Sequence, residues 1–113
     1  MTSKFLNEDN WYEYIKKQNG IKFVLFVNSQ SKICKTTSSE MECWFKKEFG
    51  IKIDFYLIDV FIAESIALKY RISIIPHLIG FQNGFTFYEK FGSFDKTELS
   101  ILRDKIKPLV NNL

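Results

Sequence analysis

The chain has 113 residues, enough for one domain built on one core. With 46% hydrophobic and 26% charged residues its composition is globular rather than disordered, and its lysines, giving a net charge of +3, are too scattered for a nucleic-acid or membrane-surface patch. No apolar run approaches the roughly 20 residues of a membrane span.

Twelve Phe, five Tyr and two Trp predict a core rich in aromatic rings. Phe5-Leu6 reads as a very short strand. Asn7-Glu8-Asp9-Asn10 offers caps for a helix carrying Trp11, Tyr14 and Ile15, which Asn19-Gly20 ends. Those polar residues also follow Met1 too closely for a secretory leader, so the expected location is cytoplasmic, where Cys34 and Cys43 stay reduced. Residues 21–27, Ile-Lys-Phe-Val-Leu-Phe-Val, are almost continuously apolar, as a strand buried on both faces is. A polar loop over 28–33 leads into a helix over 34–49, marked by Met41, Trp44, Phe45 and Phe49 at helical steps. Gly50 closes it. A second central strand is predicted over 51–58 and a helix over 61–70.

Arg71 to Ile75 then runs into Pro76, and a strand follows over 77–82. Asn83-Gly84 is a hairpin signal, which places the partner strand at 85–91, ending before Gly92. Asp95-x-x-Glu98 resembles a capping box, and Leu99, Leu102, Ile106 and Leu109 mark the last helix, whose final turn Pro108 should weaken. The order β, α, β, α, β, α, β, β, α implies parallel crossovers followed by an antiparallel edge: an α/β chain, 1–113, with a central mixed sheet flanked by helices on both faces.

Four segments in this order carry a resemblance to the thioredoxin family that covers nearly the whole chain. Val24 to Cys34 resembles the run from the central strand into Trp-Cys-Gly-Pro-Cys. Leu57-Ile58-Asp59-Val60 resembles the third strand and its exit. Lys69-Tyr70-x-Ile72-x-x-Ile75-Pro76 resembles the approach to the family's cis-proline. Phe81-x-Asn83-Gly84 with Phe91-Gly92 resembles the terminal hairpin and the glycine beside the active site. The resemblance implies the thioredoxin fold.

It also implies a dismantled redox site. The family's nucleophilic first cysteine falls at Ser31, whose hydroxyl cannot form a mixed disulfide. Cys34 aligns with the shielded, resolving cysteine. The intervening Gly-Pro is Lys32-Ile33, the preceding Trp is Gln30, the buried acid falls at Leu25 and its lysine near Phe55. Replacing both members of a buried ionic pair with apolar groups need not cost stability. The resulting expectation is no catalysis and no cofactor, with Ser31, Lys32, Ile33 and Cys34 a vestigial motif.

What the resemblance leaves is a groove of Ile33, Ile75, Pro76, Phe91 and Gly92 for a protein partner. An extended segment would pair with the Ile75 backbone by strand addition. Redox-silent relatives of this fold serve in larger assemblies, including cytoskeletal and ribonucleoprotein ones, and by analogy this chain would be such a subunit, touching neither nucleic acid nor membrane itself. The alternative is a monothiol oxidoreductase or thiol sensor using Cys34, since a helix start favours a thiolate. Cys43, nine residues on, lies about 180° around the helix, cannot bridge to Cys34, and is read as small packing. Two cysteines and the single His77 are a poor zinc set, so no metal is expected. His77 is read as a satisfied strand histidine and Asp59 as a strand or helix end rather than a catalytic acid.

Overall fold

The computed structural model describes residues 4–92 and 94–111. Its strands are β1 (Lys4–Leu6), β2 (Ile21–Val27), β3 (Ile53–Asp59), β4 (His77–Gln82) and β5 (Phe85–Phe91). Its α-helices are α1 (Lys32–Phe49), α2 (Glu64–Lys69) and α3 (Lys96–Val110). They form a five-stranded sheet in the order β1-β3-β2-β4-β5. β1, β3 and β2 run parallel, while β4 is antiparallel to both β2 and β5.

The almost continuous apolar run of β2, broken only by Lys22, follows from its central position, with every residue buried. Alternate side chains feed two cores. On one face Phe23, Leu25 and Val27 pack with Leu57, Leu78, Met41 and Phe45 of α1, and Leu102 and Ile106 of α3. On the other, Val24 and Phe26 pack with Ile58, Ile79 and Phe81 under Trp11, Ile15 and Ile66. The aromatic excess is spent here: Phe23 lies 4.7 Å from Phe45, centroid to centroid, and Trp11 meets Phe81 edge-on at 5.6 Å.

Local chemistry sets the element ends. The Asp95 carboxylate accepts the Glu98 N–H at 2.8 Å and the Glu98 carboxylate accepts the Asp95 N–H at 3.0 Å, closing the expected capping box on α3. At the hairpin, Asn83 accepts the Gly20 N–H through its side chain and donates its own N–H to the Gly20 carbonyl, while the Lys16 ammonium donates to the Gly84 carbonyl at 2.6 Å. The 83–84 turn is thereby tied to the entrance of β2.

Several boundaries differ from the sequence expectation. The Trp11–Ile15 segment forms a single π-helical turn, Tyr12–Lys16, closed by Lys17 N–H on the Tyr12 carbonyl at 2.8 Å; Trp11 and Ile15 are nonetheless both buried. Residues 50–52 form a 3₁₀ turn, so β3 starts at Ile53 and Ile51 stands fully exposed. Helix α2 is shorter than 61–70 because Asp59 holds residues 60–63 as a turn. Pro108 lies inside α3, which continues to Val110 although the proline lacks the N–H for a helical bond.

Candidate functional site

The sheet register brings one set of strand ends together. Val27 pairs with Asp59, Phe26 with His77, and His77 with Phe91. Leaving or entering this end are the loops 28–31, 60–63 and 74–76, and Gly92, Phe94 and Asp95 after β5, so segments distant in sequence meet there.

The turn after β2 is built by side-chain caps. Asn28 accepts the Gln30 N–H at 3.0 Å through its amide oxygen, and Ser31 caps α1 by accepting the Cys34 N–H on its hydroxyl at 3.4 Å. Ser31 sits in extended backbone while Lys32 begins the helix, so the polar loop ends two residues earlier than the spacing predicts. Cys34, in the first turn, is only 2% exposed, and its Sγ accepts the Asn28 N–H at 3.5 Å. Cys34 also lines a cleft of about 390 Å³ with Phe5, Val27, Leu57, Ser29 and Ser38. Ile33 turns the other way and is 68% exposed. Lys32 and Lys35 are exposed beside it, and the first turn of α1 carries no acid.

Beneath the motif, Leu25 is fully buried and Phe55 stacks on Phe45 at 5.1 Å. The Ile75–Pro76 peptide is cis. The Pro76 carbonyl accepts the Gly92 N–H at 2.8 Å, which joins two of the groove segments directly. Pro76 is buried and Ile75 half-buried against the α1–α3 core, while Phe91 is 55% exposed. Among the described residues, nothing hydrogen-bonds to the Ile75 N–H or C=O.

Asp59 does more than end a strand. Its carboxylate accepts the Ser29 N–H at 3.0 Å, the Ser29 hydroxyl at 2.5 Å, and the N–H groups of Phe61 and Ile62 at 2.8 and 3.2 Å. Burial pushes this carboxyl up, but the bonds from Ser29, Phe61 and Ile62 outweigh it and hold it below the ordinary carboxylate range. One buried side chain thus locks the turn after β2 to the turn after β3. The sequence reading missed this role. The available signal was an acid closing an apolar strand just before two more apolar residues.

Two side chains depart from expectation. Cys43 is exposed rather than packed, because the half-turn that separates it from Cys34 points it at solvent. His77 is only half satisfied: Nε2 lies 2.8 Å from a Glu89 carboxylate oxygen, while the buried Nδ1 has no hydrogen-bond partner. Among the described residues, no three His, Cys, Asp or Glu side chains are placed to hold a metal ion, and no helix is long and apolar enough to cross a membrane.

The family model described as Thioredoxin matches residues 2–105. The chain belongs to the thioredoxin family. Among solved structures it is similar to a single-substitution mutant thioredoxin from Halobacterium salinarum NRC-1, with a TM-score of 0.76 and 18% identity over 95% of this chain and 89% of that one. At that identity the likeness shows the thioredoxin fold alone, here a five-stranded mixed sheet flanked by helices. No curated protein matches the chain.

Proposed function

We propose that this thioredoxin-family chain is a redox-inactive protein-binding module, a subunit of a larger assembly that holds a partner segment at the 28–34, 74–76 and 91–92 end of the sheet. The observation that carries the reading is the state of the motif. Ser31, at the position of the family's nucleophile, is engaged as a helix cap, and Cys34 is buried behind it with its sulfur accepting a backbone N–H. Only a thiolate attacks a disulfide, so a hydroxyl there supports no exchange. Leu25 and Phe55, where the family keeps a buried acid and a lysine, offer no group to move a proton.

The binding half of the reading rests on the rim. Exposed Ile33 and Phe91 flank the free Ile75 backbone, and apolar side chains left in solvent around unpaired main-chain groups suit an extended segment that adds as a strand. The second reading, a monothiol enzyme or thiol sensor, is favoured by one observation: the cleft that Cys34 lines.

Two measurements separate them. In an insulin-reduction assay with dithiothreitol, and again with thioredoxin reductase, the protein should match the no-protein control. Iodoacetamide should alkylate Cys43 quickly and Cys34 at least a hundredfold more slowly until the protein is denatured. Turnover abolished by Cys34→Ser, or rapid native-state alkylation of Cys34, would establish the thiol reading instead.

A further inference from the structure

The apolar surface at this end of the sheet extends beyond the proposed groove. Phe61 and Ile62, in the turn after β3, are 70% and 71% exposed, and Ile74, just before the cis peptide, is 50% exposed. Large apolar side chains left in solvent this way form a costly patch unless something covers them. Phe61 and Ile62 are not loose: their N–H groups are fixed by Asp59, which is itself bonded to Ser29 of the neighbouring turn. Buried Ala63 follows at once. The pair is thus presented from a rigid mount.

The strand order gives the spacing. The turn after β3 and the end of β5 are separated by β2 and β4, three strand spacings or about 14 Å. An extended chain covers that distance in about four residues. Between the two apolar ends lies the start of α1, where Lys32 and Lys35 are exposed, enter none of the ion pairs among the described residues, and face no acid in the helix's own first turn. The positive end of the helix adds to the same sign.

We infer that the partner is an acidic extended segment with two apolar anchors about four residues apart. One anchor sits against Phe91 and Ile74 and the other against Phe61 and Ile62. A carboxylate between them faces Lys32 and Lys35. The inference rests on the binding reading above and adds the second anchor, the spacing and the charge.

A displayed library of random twelve-residue peptides, selected on the immobilised protein, tests it. Selected peptides should share two large apolar residues about four apart with Asp or Glu between them. A fluorescent copy of the strongest binder should bind at least tenfold more weakly to Phe61→Asp, to Ile62→Asp and to Phe91→Asp, and several-fold more weakly to Lys32→Glu or at raised salt. These side chains are exposed, so the variants should keep the wild-type circular dichroism spectrum, which is checked first. Peptides that need Ile33 and Phe91 but ignore Phe61→Asp and Ile62→Asp would overturn the second anchor and leave the binding reading standing. Peptides indifferent to all of these changes, or no enrichment at all, would overturn both. A dimer seen by sedimentation and dissolved by Phe61→Asp would assign the surface to a second copy of the chain and overturn the peptide.

Discussion

Asp59 forms no ion pair among the described residues, yet its carboxylate accepts from Ser29, Phe61 and Ile62 and so carries the geometry of two loops. Its acidity therefore reports on the site. A carboxyl held below its ordinary value contributes stability that is present in full above the unfolded value, near 4, and is lost as pH falls through the folded value. Asp59→Asn keeps one acceptor oxygen but no charge. It should cost about 2 kcal/mol at pH 7, the scale of buried donors left without a charged acceptor. Urea unfolding between pH 6 and pH 2 should show a flatter stability profile for the variant than for the wild type. Parallel profiles would mean that this carboxylate is not titrating with the fold. The sequence displayed the residue but not the role, since the hydrogen bonds to Ser29 cross thirty positions and arise only when β2 and β3 pair.

At the scale of elements, β4 shows how tightly the sheet is fitted to its aromatic layer. A Cβ on Gly80 would lie 2.7 and 2.9 Å from two ring carbons of Phe23 and 3.1 Å from Phe87. Phe23 is fully buried and cannot swing away. Gly80→Ala should therefore destabilise by about 1–3 kcal/mol, the usual cost of overpacking. Phe23→Leu in the same chain should return part of that loss, and a double-mutant cycle by denaturant titration should show favourable coupling. Strictly additive losses would place the strain elsewhere. Strands β4 and β5 were legible to the residue, because Asn83-Gly84 fixes the hairpin and Pro76 and Gly92 bracket it. The helices near β3 were less so. Helical spacing in 61–70 is real, but the Asp59 carboxylate competes for the first N–H groups and holds a turn until Glu64. Likewise Trp11 and Ile15 carry a helical pattern that the chain satisfies with one π turn.

The molecule as a whole separates what folds it from what it displays. Leu25, Phe26, Ile58 and Leu78 are buried within the two cores, whereas Ile33, Phe61, Ile62 and Phe91 are exposed at one end of the sheet. Replacing all four of the latter with Ser should change unfolding free energy by less than about 1 kcal/mol, as exposed substitutions do, while abolishing binding of the selected peptide. Leu25→Ala alone should cost about 2–5 kcal/mol. Comparable losses in denaturant titrations of the two variants would show that the exposed residues serve the fold instead. This division explains why fold was easier to read than site. Core periodicity and turn residues are local patterns. The meeting of residues near 33, 61, 75 and 91 depends on strand order, and exposure of an apolar loop residue has no signature in the chain.

The two thiols on α1, one buried and one in solvent, have a practical consequence. Cys43 reacts without any opening of the structure and so calibrates the reagent. On the binding-module reading Cys34, 2% exposed, reacts only when the first turn of α1 comes away from the sheet. At low reagent concentration its rate, divided by that of Cys43, gives the equilibrium constant for opening. At concentrations high enough to trap each opening, it becomes independent of reagent and gives the opening rate itself. The chain thus carries a native gauge of local unfolding at the proposed binding end, one that a bound partner should slow without any label being engineered into it.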